Sequence, residues 1–196
     1  LLDPSLLLPV LKPMLKRNIS LLIYSVINNF GLAYAPDVGE KFLRYNEKGI
    51  NYNDGWGLAG NKKSVEVALV EKDILQTLKT SKIIFCLSLH EDSTTVTKGY
   101  VWMNNLSKIM RHDIVKRIKS SIERKLLLNM TQQTSQGGRV EESIAIVDAR
   151  DDGAFEDWMP HKLNVPTVLS EAPFGLDLSI RKLFHLKVIN SVISII

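Results

Sequence analysis

The sequence predicts an α/β domain built on a mixed, mostly parallel twisted sheet with helices on both faces. Short apolar runs alternate with amphipathic segments along the chain, which is typical of this class. Two of the runs, 19–27 and 82–89, are continuously apolar, as strands covered on both faces are. No internal repeat and no linker divides the 196 residues, so we expect a single domain over 1–196.

Each element of this fold has its own local signal. Strands are expected at the apolar runs 19–27, 82–89, 98–103, 143–148 and 166–170. Helices are expected at the amphipathic segments 5–16, 64–80, 105–128, 154–163 and 178–196. Ser64 is suited to cap the second helix, with Glu66 in its first turn. Turn-forming and polar residues dominate 28–63 and 129–142, which we expect to be long loops of the kind that often serve function.

Composition argues against several classes of function. Much of the net charge of +4 comes from the basic run 116–125, which favours a solvated helix face because no nucleic-acid-binding motif accompanies it. No apolar run reaches the roughly 18 to 20 residues that a membrane span needs. The single cysteine, Cys86, excludes an internal disulfide and lies in an apolar strand, where we expect it to be a core residue. Together with the lack of an export signal, this favours a cytoplasmic protein.

Two ionisable residues stand where predicted strands end. His90 follows the run 82–89, and Glu171 follows the run 166–170. Open α/β sheets place their ligand crevice at this end of the strands. Imidazole is a good zinc ligand, and a glutamate near a metal-bound water can pass a proton to a leaving amine. The simpler alternatives are a strand that leaves the core at His90 and a glutamate that caps a turn. The other histidines are expected on the surface or as satisfied core residues: His112, His161 and His185.

A third candidate segment lies within 42–56. Arg44 precedes Asn53 by nine residues, and Gly49 can supply a turn between them. A guanidinium held in a cleft can stabilise an oxyanion, and an amide can bind a substrate carboxylate or peptide. Spacing alone does not assign either role.

Five segments, taken in order, resemble the zinc metallocarboxypeptidase superfamily. They are NNFG, RYNEKGINYNDGW, SLHED, GYVWM and TVLSEAPFGLDLSIR. The closer likeness is to the branch near succinylglutamate desuccinylase and aspartoacylase. In that superfamily an N-P-x-G turn precedes an R-x-N-x-x-G-x-D-L-N-R segment. A strand ending in a zinc-binding histidine comes next, and a catalytic glutamate, often in the form T-x-E-x-P, ends a later strand. The resemblance runs from about residue 19 to the C-terminus.

The resemblance implies zinc-dependent hydrolysis of a peptide or an N-acyl amino acid. Under it, His90 is the third zinc ligand and Glu171 is the general base and acid. Arg44 matches the arginine that polarises the scissile carbonyl. Asn53 matches the asparagine of the clamp that holds the substrate carboxylate.

The chain departs from the pattern of the family in three ways. Asn51 stands where aspartate is usual, and Asp54 stands where arginine follows the clamp asparagine. An acidic group at Asp54 suits a substrate amine better than a free C-terminal carboxylate. No histidine precedes His90, whereas the first two zinc ligands of the family come from an H-x-x-E motif. We expect that motif before Leu1 or in a segment not represented here, and therefore weak zinc binding by these residues alone.

Two interpretations from different classes follow. The first is a zinc-dependent hydrolase of the metallocarboxypeptidase type that cleaves a peptide or related amide bond. The alternative is a non-catalytic relative that keeps the scaffold as a binding or interaction module. Accidental matches in an unrelated α/β domain form a third possibility, because short motifs recur by chance. The sequence names neither the substrate nor the oligomeric state.

Overall fold

The chain forms two units, each made of segments that are separate in sequence. The first unit comprises Leu1–Leu21, Phe85–Ala149 and Pro166–Ile196, and the second comprises Leu22–Ile84 and Arg150–Val165. The computed structural model describes residues 12, 19–20, 22–24, 45–46, 48–58, 63–92, 97–128, 139–141, 144–147 and 153–196.

The first unit contains a five-stranded mixed sheet. Its strands are β1 (Cys86–Asp92), β2 (Tyr100–Asn104), β3 (Arg139–Glu141), β4 (Ile144–Val147) and β5 (Thr167–Pro173). They lie in the order β1-β5-β2-β4-β3. The pairs β1–β5 and β2–β4 are parallel, whereas β2–β5 and β3–β4 are antiparallel. The mixed sheet is therefore confirmed, but the described pairings divide equally between the two directions rather than being mostly parallel.

Four α-helices are described. They are α1 (Val65–Thr77), α2 (Lys108–Ser121), α3 (Phe155–Leu163) and α4 (Leu178–Ile193). In the first unit, α2 and α4 cover one face of the sheet and bury a single apolar cluster. Its helical members are Ile114, Val115, Ile118, Phe184, Val188 and Val192, and its strand members are Val101, Met103, Val168 and Ala172. All helices of the described residues are too short or too polar to span a lipid bilayer.

Strand β5 is the centre of this arrangement. It pairs with β1 on one side and β2 on the other, and every one of its residues is buried. Pro173 is its last residue and has no N–H for a further ladder bond, so the strand ends there. The neighbour β1 lies at one edge of the described sheet, and its residues 86–91 are partly buried or exposed.

The second unit contains α1, α3 and an aromatic cluster. The Ser64 hydroxyl accepts a hydrogen bond from the Val67 N–H at 3.1 Å, which confirms the predicted cap of α1. Trp56 is buried and stacks at an angle on Phe155 and Trp158, with centroids 4.7 Å and 5.6 Å away. These contacts fix the segment that carries the third group of candidate residues.

Several boundaries differ from the sequence predictions. The strand predicted at 82–89 begins at Cys86 and continues to Asp92, and the strand predicted at 166–170 continues to Pro173. The helix predicted at 105–128 ends at Ser121. Beyond it the backbone becomes extended at the buried Ile122, and a short 3₁₀ helix follows at Arg124–Leu126.

Two predicted elements fall mostly outside the described residues. Only Lys12 of the helix predicted at 5–16 is described. Within the strand predicted at 19–27, the described residues Ile19, Ser20 and 22–24 have no regular structure.

Candidate active site

His90 and Glu171 lie side by side in the sheet. In the parallel pairing of β1 with β5 they are register partners, so their Cα atoms are about 4.8 Å apart. Register partners in neighbouring strands point to the same face of a sheet. The structure therefore brings together the proposed zinc ligand and the proposed general base. His90 lies within β1 rather than beyond its end, because the pairing with β5 extends the strand past the apolar run.

The face of the sheet that these two residues occupy follows from their neighbours in the chain. Glu91 accepts a hydrogen bond from the Arg181 guanidinium of α4 at 2.5 Å, and Ser170 bonds to His185 of α4 at 2.9 Å. Since successive side chains of a strand alternate between faces, His90 and Glu171 point away from α4.

Tyr100 lies on a third strand, next to Glu171 on the side opposite His90. In the antiparallel pairing of β2 with β5 it is the register partner of Glu171, so the carboxylate has an imidazole on one side and a phenol on the other. Glu171 is 7% exposed and Tyr100 is 2% exposed, whereas His90 is half-buried. Sequence reasoning missed Tyr100 because its proximity depends on which strands pair, and an alternating pattern does not specify the partner strand.

Gly99 allows β2 to approach Glu171 closely. A Cβ atom at this position would lie 2.5 Å from the Glu171 carbonyl oxygen and would overlap the Phe184 ring. The Gly99 N–H also donates to the Leu126 carbonyl at 2.7 Å, which links β2 to the segment after α2. The backbone of the candidate base is thus fixed by a contact that only glycine permits.

The donors suit a metal in kind but are incomplete in number. An imidazole and a nearby carboxylate are the groups that a catalytic zinc site uses, and such sites have three protein ligands. Within the described ranges, no group of three or more His, Cys, Asp and Glu residues could hold a metal ion. His90 can therefore supply one ligand, and the remaining ligands must come from elsewhere if a metal binds here.

The third candidate segment forms a tight turn in the second unit. The Asn46 side-chain oxygen accepts hydrogen bonds from the N–H groups of Lys48 and Ile50, both at 2.9 Å. Gly49 adopts a φ of 71°, and its N–H donates to the Asn46 carbonyl at 3.0 Å. The turn expected at Gly49 is present. Arg44 lies outside the described residues.

Asn51 and Asp54, the two positions that depart from the family pattern, bind each other. The Asn51 amide nitrogen donates to the Asp54 carboxylate at 3.0 Å, and the Asn51 side-chain oxygen accepts from the Asn53 N–H at 3.0 Å. Asn53 is half-buried and Asp54 is exposed. Both departures therefore belong to one local structure, in which Asn51 supplies the donor and Asp54 the acceptor.

His185 is a buried histidine with a specific partner. It is 6% exposed, and its Nδ1 lies 2.9 Å from the Ser170 hydroxyl oxygen. The pKa of His185 is lowered from 6.5 to about 4, mainly by burial and to a smaller extent by the positive charges that His90 and Arg181 can carry. The expectation of a satisfied core histidine is confirmed, whereas His112 and His161 are exposed.

Solved structures with the same fold include metallopeptidases. A "putative metallopeptidase" from Shewanella amazonensis matches with a TM-score of 0.57 and 19% identity, over 76% of this chain and 56% of that chain. Another "putative metallopeptidase", from Shewanella baltica, matches with a TM-score of 0.57 and 18% identity over the same shares. A metallo-carboxypeptidase from Burkholderia cenocepacia matches with a TM-score of 0.53 and 12% identity, over 78% of this chain and 40% of that chain.

At these identities the likeness shows a shared fold and nothing about activity. The chain spans 40% to 56% of the length of these structures. No protein-family model matches the chain, and no curated protein matches it in sequence.

Proposed function

We propose that the protein is a metal-dependent hydrolase of the metallocarboxypeptidase type that cleaves a peptide or N-acyl amino acid amide bond. The observation that supports this most strongly is the register of β1 with β5, which sets His90 beside Glu171 on one face of the sheet. The metallopeptidase fold of the solved neighbours is consistent with it. Zinc is the proposed metal because imidazole and carboxylate suit it.

In this proposal His90 supplies one ligand to the metal, and Glu171 acts as the general base and acid. When bound, zinc supplies a Lewis acid that polarises the scissile carbonyl. The Glu171 carboxylate accepts a proton from the attacking water and donates it to the nitrogen of the departing amine, so the amide and one water become a carboxylate product and a protonated amine. Burial beside Tyr100 excludes bulk water from that carboxylate.

Three further residues are proposed to contact the substrate. Arg44 would polarise the scissile carbonyl, and Asn53 would bind the backbone or the carboxylate of the substrate. Asp54 pairs with an amino group of the substrate. The exposure of Asp54 supports this last role, because an exposed carboxylate can accept a further hydrogen bond besides the one from the Asn51 amide.

The test is turnover by the full-length protein supplied with zinc, using peptides and N-acyl amino acids as substrates. Glu171→Gln preserves the shape of the side chain but removes the base, so we expect kcat to fall by at least about a hundredfold with binding unchanged. Glu123→Gln is the matched control, since it removes the same charge from an exposed carboxylate.

Wild-type turnover in Glu171→Gln would overturn the proposed role. A wild-type protein that binds these substrates without cleaving any of them would instead favour a non-catalytic binding module.

A further inference from the structure

Helix α4 binds both strands of the candidate site from the opposite face of the sheet. Arg181 and His185 are four residues apart, so they lie one above the other on the same side of the helix. Arg181 donates to Glu91 in β1 at 2.5 Å, and His185 bonds to Ser170 in β5 at 2.9 Å. One helical turn thus contacts two adjacent strands through two polar pairs.

Each pair lies directly next to a candidate functional residue. Glu91 follows His90, and Ser170 precedes Glu171. Because neighbouring side chains leave a strand on opposite faces, holding Glu91 or Ser170 towards the helix holds the next side chain away from it. The two contacts therefore control the direction of the imidazole and of the carboxylate.

Burial makes both contacts effective. Ser170 is fully buried and His185 is 6% exposed, so breaking their hydrogen bond would leave a polar group buried without its partner. In the ion pair, the side chains of Arg181 and Glu91 are 21% and 30% exposed. The Arg181 guanidinium also lies 5.8 Å from the centroid of the Phe174 ring, which directly follows β5. Arg181 thereby contacts both β1 and the residue that follows β5.

We infer that Arg181 and His185 are positioning residues that set the separation and direction of His90 and Glu171. The inference rests on the proposed function for its catalytic consequence. Its structural part, the fixing of the β1–β5 ladder by α4, can be measured without any substrate.

The test uses variants of the full-length protein that break one contact at a time. Arg181→Gln removes the ion pair, and His185→Phe removes the hydrogen bond but keeps an aromatic ring of similar size. The controls on the same helix are Lys182→Gln, which removes a charge, and Ser191→Ala, which removes a hydroxyl that donates to the Lys187 carbonyl of the same helix at 2.7 Å.

The first readout is amide hydrogen exchange, residue by residue. Arg181→Gln is expected to accelerate exchange at 88–92, and His185→Phe at 169–173, while amides of the α2 core keep their protection. Neither control should change either segment. Uniform acceleration throughout the sheet, or none in these two segments, would show that α4 supplies general stability and does not position the site.

The second readout separates positioning from stability. Ser170→Ala combined with His185→Phe replaces both polar partners by apolar groups, so unfolding stability should return close to that of the wild type. If the hydrogen bond positions Glu171, kcat stays about tenfold to a hundredfold low in this double variant while KM changes little. Recovery of kcat together with stability would overturn the inference.

Absence of hydrolysis in the wild type would count against the proposed function alone. The exchange pattern would still decide whether α4 positions the two strands.

Discussion

At the scale of single residues, the bond between Asn51 and Asp54 shows how two unusual positions can explain each other. Taken alone, an acidic residue at 54 indicates a preference for a substrate amine. In the structure the same carboxylate accepts a hydrogen bond from the Asn51 amide and completes a turn. The two roles are compatible, because a carboxylate has several acceptor sites, and they predict different effects of substitution.

Asparagine and alanine at position 54 distinguish these roles. Asp54→Asn keeps an oxygen that can accept from Asn51, so unfolding stability should stay within about 0.5 kcal/mol of the wild type. Asp54→Ala removes the acceptor and should destabilise the turn by about 1 kcal/mol. If Asp54 pairs with a substrate amine, both variants raise KM for amine-bearing substrates. An unchanged KM in Asp54→Asn, measured with such a substrate, would leave Asp54 with only its structural role.

His185 makes stability depend on pH. The fold holds its pKa near 4, whereas the unfolded chain takes up a proton near 6.5. Above pH 6.5 the histidine is neutral in both states, and the free energy of unfolding has its full value. As the pH falls from 6.5 towards 4, the unfolded chain takes up the proton more readily than the folded protein, so the free energy of unfolding drops by about 3 kcal/mol at most. Urea unfolding at pH 7 and pH 4 measures the loss. The double variant Ser170→Ala/His185→Phe lacks this histidine, so its fall in unfolding free energy between the two pH values should be smaller by about 3 kcal/mol. An identical pH dependence in both proteins would contradict the role given to His185.

The sequence could predict some of these residues and not others. His90 and Glu171 are recognisable because each is the first charged or titratable residue after an apolar run. Tyr100, Ser170 and Arg181 have no comparable signal. Their importance comes from strand pairing and from the contacts of α4, which link positions up to 90 residues apart in the chain.

At the scale of elements, the pairing of β5 with its two neighbours determines the site. Apolar composition predicted that β1 would end at Leu89, yet the strand continues through His90 because β5 offers hydrogen-bonding partners as far as Pro173. A sequence pattern reports which residues avoid water, whereas the length of a strand also depends on the length of its partner. The candidate ligand is therefore held by a backbone ladder and does not lie on a loop.

Gly99→Ala tests the close approach of β2 to β5. The added methyl group would overlap Phe184 and the Glu171 carbonyl oxygen, and a backbone atom cannot move aside as a flexible side chain can. We expect a loss of about 1–3 kcal/mol in unfolding free energy. Gly49→Ala serves as a comparison, since it strains a positive φ but meets no atom within 4 Å. A Gly99→Ala protein as stable as the wild type would mean that β2 can shift without cost.

At the scale of the whole molecule, composition and periodicity could predict the α/β class and the mixed sheet. The solved structures that match share this fold with the chain. The direction of individual strands could not be predicted. The antiparallel pairing of β2 with β5 joins strands far apart in sequence. Every residue of both strands is buried, so neither strand shows the alternation of apolar and polar residues that often marks an antiparallel strand.

The most direct test of the central claim is anomalous X-ray scattering at the zinc edge, from crystals of the full-length protein grown with zinc. We expect one strong peak within about 2.1 Å of a ring nitrogen of His90, since that is the usual zinc–histidine distance. The Glu171 carboxylate should lie one water molecule away from the metal. His90→Ala should abolish this peak. A zinc ion bound elsewhere with His90 unliganded, or a peak that persists in His90→Ala, would contradict the assignment of this site.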